Sequence, residues 1–245
     1  MRQFLSFVYP KRLPQGFGGG SLLVSPRADS RVLRPGWEKC ARDLMIVAEK
    51  NVKPGMTVWD VGSNLGIFAA LASGKAGPEG RVFAVEPDPY YANLIGRSAK
   101  RLKGGYAPIG VLCAAVADRV GVADFAEAEQ GHARSALAAH ARTAAAATRP
   151  VPVLTLDDLL DAWPAPDVVK IDVEGAEIAA LAGATRLLAE ARPVIYIEVG
   201  AENTAAAYEM FSAAGYETFQ LNSGDERLTD APGMYTMARP APPPS

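Results

Sequence analysis

Two hundred and forty-five residues, 49% of them hydrophobic and 21% charged, are enough to bury an apolar core unaided, which excludes both a disulfide-stapled miniprotein and a disordered chain. Twenty-five basic groups against 27 acidic ones leave a formal net charge of −2, too balanced for a broad nucleic-acid footprint, and no apolar run approaches the roughly 20 residues of a membrane span. Cys40 and Cys113 form no CxxC pair, and the apolar stretch between Phe4 and Tyr9 is too short for a secretory signal, so a reducing, cytoplasmic setting is expected.

Residues 1–36 carry Gly16-Phe17-Gly18-Gly19-Gly20 and four scattered prolines, and are expected to form an irregular lead-in arm. A helical period from Trp37 to Asn51 ends at Val52-Lys53-Pro54-Gly55, a turn before a strand. The arm and this helix, residues 1–53, are expected to cover an acceptor site beside a main domain over residues 54–240, with 241–245 a disordered Pro-rich tail. Within the main domain a strand (Met56 to Val61), a glycine turn (Gly62 to Gly66) and a helix (Ile67 to Gly74) come first.

The unit repeats: strand Arg81 to Val85, helix Pro89 to Lys103, strand Ile109 to Val116. Further on lie a helix at Thr155 to Ala162, a strand at Asp167 to Asp172, a helix at Ala176 to Ala191, a strand at Pro193 to Val199 and a helix near Asn203 to Ala214. Strands that are apolar throughout and separated by helices predict a mostly parallel sheet covered on both faces. Tyr216 to Leu221 and Gly233 to Ala238 alternate like strands and predict an antiparallel pair at the sheet edge. Gly121 to Arg149 breaks the rhythm, with room for a short hairpin and a loop whose tip is Gly131-His132-Ala133-Arg134-Ser135. On the ligand side of the sheet such an insertion would be a lid; elsewhere it is a surface excursion.

In an open parallel sheet, ligands sit beyond the carboxyl ends of the strands, where the strand order reverses. The first strand ends Val58-Trp59-Asp60-Val61-Gly62-Ser63-Asn64-Leu65-Gly66, a GxxxG turn rather than the GxGxxG that seats a pyrophosphate. The second ends Val85-Glu86-Pro87-Asp88, and an acid there is placed to accept from both hydroxyls of a ribose while repelling a 2′-phosphate. After the third, Val116-Ala117-Asp118 offers an acceptor for the exocyclic amine of adenine. Together these describe a pocket for an adenosine with a charged, phosphate-free tail, for which S-adenosylmethionine is the candidate. Taken singly, the glycine turn and Glu86 are also ordinary features of α/β proteins.

The sequence resembles the FkbM family of S-adenosylmethionine-dependent methyltransferases over about residues 54–200. The resemblance is carried by Pro54 to Gly66, Gly80 to Pro89, Ala115 to Asp118, Leu154-Thr155-Leu156-Asp157-Asp158-Leu159, and above all Val169-Lys170-Ile171-Asp172-Val173-Glu174-Gly175-Ala176-Glu177, followed by Leu181-Ala182-Gly183-Ala184 and Arg192-Pro193. It departs at Val199-Gly200-Ala201, where many members carry a histidine. The resemblance implies an α/β class I methyltransferase (Rossmann-like) fold, a seven-stranded, mostly parallel sheet with an antiparallel terminal strand and helices on both faces. It also implies O-methylation of hydroxyls on sugars or secondary metabolites. By it, Asp60, Gly62, Ser63, Asn64 and Gly66 would wrap the methionine and ribose, Glu86 would hold the ribose diol, and Pro87-Asp88 with Ala117-Asp118 would border the adenine.

Methyl transfer to an alcohol requires alignment and removal of the acceptor's proton. Val168, Lys170 and Asp172 alternate on one face of the fourth strand and Asp172-Val173-Glu174-Gly175 turns out at its end, so Asp172 and Glu174 are each expected as base or acceptor-orienting group. Asp172 is equally placed to cap the next helix, Glu177 to close a capping box, and Lys170 to pair with an acid. Glu198 is a third acid on this rim; no metal is assigned, because the spacing is not diagnostic. His132, Arg134 and Ser135 share a loop that could touch a polar acceptor; a lone loop histidine, like His140, is more often solvated. Asp157-Asp158 suits a helix start, and Trp37 either closes the acceptor side or packs on the core. The expected partner is a small or glycosylated acceptor, not nucleic acid or membrane, with a homodimer left open. A nucleotide-dependent oxidoreductase or a noncatalytic nucleoside-binding module would use the same layers.

Overall fold

The computed structural model describes residues 7–128, 136–140, 145–222, 225–229 and 233–242. In chain order the elements are β1 (Tyr9–Arg12), β2 (Ser21–Val24), α1 (Glu38–Asn51), β3 (Thr57–Val61), α2 (Ile67–Ala76), β4 (Arg81–Val85), α3 (Pro89–Ala99), β5 (Ile109–Leu112), β6 (Ala115–Val116), β7 (Gly121–Ala128), β8 (Ala136–Leu137), β9 (Ala145–Leu154), α4 (Leu156–Ala162), β10 (Val168–Ile171), α5 (Glu177–Ala182), β11 (Val194–Glu198), α6 (Thr204–Ala213), β12 (Tyr216–Asn222), β13 (Asp225–Leu228) and β14 (Tyr235–Pro240). Among the described residues no helix is long and apolar enough to cross a membrane.

The central sheet runs β13-β12-β14-β11-β10-β3-β4-β5. β5, β4, β3, β10 and β11 are parallel neighbours. β14 is inserted antiparallel between β11 and β12, so the expected seven strands are present and β13 adds an eighth at the edge. From β3 the chain moves outward to β4 and β5, then returns to β10 on β3's other side, which puts the switch point beside the carboxyl end of β3.

Alternate residues of each strand feed opposite layers. Val58, Val82, Val168 and Tyr196 pack with α1, α2, α3 and the arm; Trp59, Val85, Val169 and Ile197 pack with α4, α5 and α6. Burial on both faces is why these strands lack polar alternation. Thr155 and Asp158 close a capping box at the start of α4, where Asp157-Asp158 had suggested a helix start, and the Asp157 carboxylate accepts from the Arg186 and Leu187 amides. The helix expected over Ala176 to Ala191 is interrupted after Ala182, where a Cβ on Gly183 would overlap the carbonyl oxygen of Ala117.

Three further segments differ from expectation. The strand expected at Ile109 to Val116 leaves the sheet after Leu112, and β6 instead joins a second sheet, β6-β9-β7-β8. The Gly121 to Arg149 stretch supplies most of that sheet through the antiparallel β7/β9 pair, with a bulge at Glu127/Ala128. The arm expected to be irregular forms the β1/β2 hairpin, and Leu22, Leu23 and Val24 are buried in the same cluster as α2 and α3. Its glycines serve the turn and a close approach: Gly18 has φ +87° and takes a left-handed conformation. The Tyr106 hydroxyl donates to Phe17 O at 2.9 Å and accepts from Gly20 N at 2.7 Å, while Leu23 N donates to Ser98 Oγ at 3.0 Å. Tyr106→Phe strips both hydroxyl contacts from a part-buried site, and a loss of about 1–3 kcal/mol is expected in urea unfolding. Unchanged stability would show that the hairpin is not held there.

Candidate active site

The loop after β3 makes the tightest backbone packing at the switch point. Gly62, Asn64 and Gly66 have φ of +74°, +50° and +70°, a left-handed run that glycine and asparagine tolerate best. Gly62 N and Ser63 N both donate to Val85 O at 3.0 Å, and a Cβ on Gly62 would overlap the carbonyl oxygen of Asp172. The loop is therefore pinched between the ends of β4 and β10. Beyond it lies a cleft that is open to solvent on one side.

Six expected residues line this cleft: Gly62, Asn64, Glu86, Pro87, Asp172 and Glu174. The Glu86 carboxylate accepts from Asn64 N at 2.7 Å and from Asp88 N at 2.9 Å, so it braces the loop against the end of β4. Asn64 Oδ1 is buried without a hydrogen-bond partner among the described residues, which leaves an unmet acceptor at the cleft wall.

The other six expected residues sit behind the wall. Asp60 is fully buried; its Oδ2 accepts from Ala69 N at 2.9 Å, tying β3 to the first turn of α2. Ser63 turns back to donate from Oγ to Asp60 O at 2.6 Å, and Gly66 closes the loop as the residue before α2. Asp88 caps α3, accepting from Tyr90 N at 2.8 Å, and its second oxygen lies 3.1 Å from an Arg149 nitrogen. Ala117 and Asp118 border a different recess beside β7, because the chain has already left the main sheet. In their place Ala114, Ala115 and Val116 line the cleft, and Phe125 and Leu137 from the second sheet face them.

Sequence reasoning missed these two apolar walls, apart from the suggestion that the insertion lies on the ligand side. His132, Arg134 and Ser135 lie outside the described residues, and His140 ends a short 3-10 turn after β8. Trp37 is buried and donates from Nε1 to Arg12 O at 2.7 Å, so it packs on the core. α5 has no side-chain cap: Glu177 Oε1 accepts from Gly175 N at 2.6 Å, and Asp172 turns elsewhere.

Asp172 meets Lys170, whose buried Nζ lies 3.3 Å from Asp172 Oδ2 and 3.3 Å from Asp60 Oδ1, and donates to Gly62 O at 2.7 Å. Burial opposes the Lys170 charge, but Asp172 and Asp60 together outweigh it and hold the ammonium above its ordinary range. Glu174 stands in a left-handed conformation with φ +52°, followed by Gly175 at +105°. Such a backbone costs a side-chain-bearing residue about 1–3 kcal/mol and persists only when its surroundings impose it. Burial first, then Asp172, Glu198 and Glu177, push the Glu174 carboxyl up to about 8; burial and Asp172 push Glu198 up to about 7. Acids in this range exchange protons near neutral pH, as a general base must.

A family model described as Methyltransferase FkbM domain matches residues 60–218. The chain is 30% identical over 142 residues to the hexuronic acid methyltransferase AglP of Haloferax volcanii; the match covers 56% of this chain and 54% of AglP, about half of that protein's length. The crystal structure of a methyltransferase FkbM from Methylobacillus flagellatus superposes with a TM-score of 0.50 at 16% identity, over 80% of this chain and 50% of that one, and shares its fold.

Proposed function

This chain belongs to the FkbM methyltransferase family and uses S-adenosylmethionine, and from that premise we propose that it methylates a hydroxyl oxygen on a sugar or small glycosylated metabolite. The cofactor supplies a methyl group already activated on a sulfonium, with a neutral thioether as leaving group. The residues present suit it: a loop with no room for a Cβ at Gly62, an unmet acceptor at Asn64, and an acid at Glu86. Gly62 and Asn64 would border the ribose and methionine portion and Glu86 would accept from the ribose diol. Pro87 and Ala114 to Val116, facing Phe125 and Leu137, would hold the adenine.

The observation that carries the hydroxyl assignment is Glu174. It lies on the same cleft as Glu86, beside Asp172, with its carboxyl held near neutrality. Such a group takes the proton of an attacking alcohol as the C–O bond forms, while Asp172 accepts from the acceptor and orients it. The name of the Haloferax volcanii relative, a hexuronic acid methyltransferase, favours a sugar acceptor.

Transfer of labelled methyl from S-adenosylmethionine to a panel of neutral sugars and hexuronic acids tests this. The label is expected in an alkali-stable ether, and Asp172→Asn is expected to lower transfer at least tenfold with S-adenosylhomocysteine binding retained. Label released by mild alkali would mean carboxyl esterification and would overturn the hydroxyl assignment.

A further inference from the structure

Resting on that reading of the acids, we propose that Lys170 is a positioning residue that joins the donor loop to the acceptor acids, one buried ammonium holding both the Gly62 carbonyl and the Asp172 carboxylate. An ammonium has three donors. Here its hydrogen bonds go to the Gly62 and Val61 carbonyls at 2.7 and 3.5 Å, and its ion pairs, each at 3.3 Å, to Asp60 of β3 and Asp172 at the exit of β10. The two ends of this bridge are the functional ones. Gly62 and Asp172 both line the cleft, whereas Asp60 and Lys170 lie behind it.

Stability alone does not account for the arrangement. The other β10 residues, Val168, Val169 and Ile171, are buried and apolar, and a buried ion pair is often no more stabilising than apolar residues of equal volume. What an apolar residue could not do is set the height of the Gly62 carbonyl relative to the Asp172 carboxylate, and with it the spacing of donor and acceptor.

The charge acts as well as the geometry. Around Lys170 are Asp60 of β3, Asp172 and Glu174 after β10, and Tyr196 and Glu198 of β11, with Glu177 of α5 acting on Glu174 and Glu198. The same rim receives Asp43 of α1, Tyr235 of β14 and Arg31 of the arm. Acids outnumber cations in this set, and Lys170 opposes the upward push on both Glu174 and Glu198. Removing it moves both titrations to higher pH, away from the range in which a base works at neutrality.

The test uses the full chain as wild type, Lys170→Arg, Lys170→Met, and the double variant Lys170→Met with Asp60→Asn, which removes the buried acid that the single change would strand. In the double variant S-adenosylhomocysteine affinity, measured by calorimetry, is expected to fall about tenfold. Carboxyl-carbon NMR titrations of Glu174 and Glu198 are expected to move up by roughly one pH unit, and the acidic limb of the methyl-transfer profile with them. Lys170→Arg, which keeps the charge, should return the titrations towards wild type. A lysine with a purely structural role would lower the melting temperature and move neither readout. Unchanged affinity or unchanged titrations in a folded double variant therefore overturn the proposal. A wild-type protein that methylates no hydroxyl overturns the proposed function instead, and leaves binding and titration to decide the role of Lys170.

Discussion

Replacing Glu174 by glutamine is expected to cut methyl transfer by about 10²- to 10⁴-fold, the usual contribution of a positioned base, with S-adenosylhomocysteine binding near wild type. The amide keeps the size of the acid and the same left-handed backbone, so the loop is not remodelled; only the ability to take a proton is lost. In the wild type, activity should climb with pH to a plateau above about 8, because the carboxyl must be ionised to act and its ordinary value near 4.5 is raised to about 8. Stability runs the other way. Between those two values the folded state holds a proton that the unfolded chain releases, so the stabilisation from Glu174 is complete below about 4.5 and is lost as pH rises through about 8. Glutamine mimics the protonated form at every pH. The variant should therefore melt higher than wild type at pH 9 and show a flatter dependence of melting temperature on pH, measured by calorimetry. Wild-type activity in this variant would remove Glu174 as base; an unaltered melting profile would mean its carboxyl is not raised.

Gly62→Ala should be the most damaging small substitution in the loop. A left-handed φ of +74° costs an L residue about 1–2 kcal/mol by itself. The added methyl would also overlap the Asp172 carbonyl, which is backbone and cannot swing aside. Relief requires prying the loop off β10, and that opens the Lys170 bridge and the Val85 contacts together. A loss beyond about 4 kcal/mol is expected, a large share of the 5–15 kcal/mol that typically holds a domain folded. Gly55→Ala is the control: its φ is +85°, yet a Cβ there meets nothing within 4 Å, so only the backbone cost of about 1 kcal/mol applies. Comparable urea midpoints for the two variants would show that the loop and β10 are not in contact.

Much of the parallel sheet was legible because its signals are local. Val58 to Gly66 reads as strand, turn and helix from periodicity and two glycines, and Glu86 follows at the end of the next strand. GxxxG in place of GxGxxG pointed away from a dinucleotide, and the family match is to methyltransferases. The face shared by Lys170 and Asp172 followed from the period of a strand, and their 3.3 Å pairing agrees with it. The glycine-rich arm was expected to be irregular because its order depends on Tyr106, far along the chain, which accepts from Gly20 and donates to Phe17.

From its own order of residues the chain determined the alternation of strands and helices, the glycine turn and the set of acids at the strand ends. Only the tertiary structure decided which acids face the cleft. Asp60 and Asp88 turn inward because Ala69, Lys170 and Arg149 wait there to satisfy them; Glu86, equally buried, is held at the cleft wall by the Asn64 and Asp88 amides, while Asp172 and Glu174 border the cleft. It also decided that Phe125 and Leu137 complete the pocket. The physical reason is the same in each case: a buried carboxylate goes where donors and opposite charge offset its desolvation, and those partners are brought near by folding rather than by position along the chain.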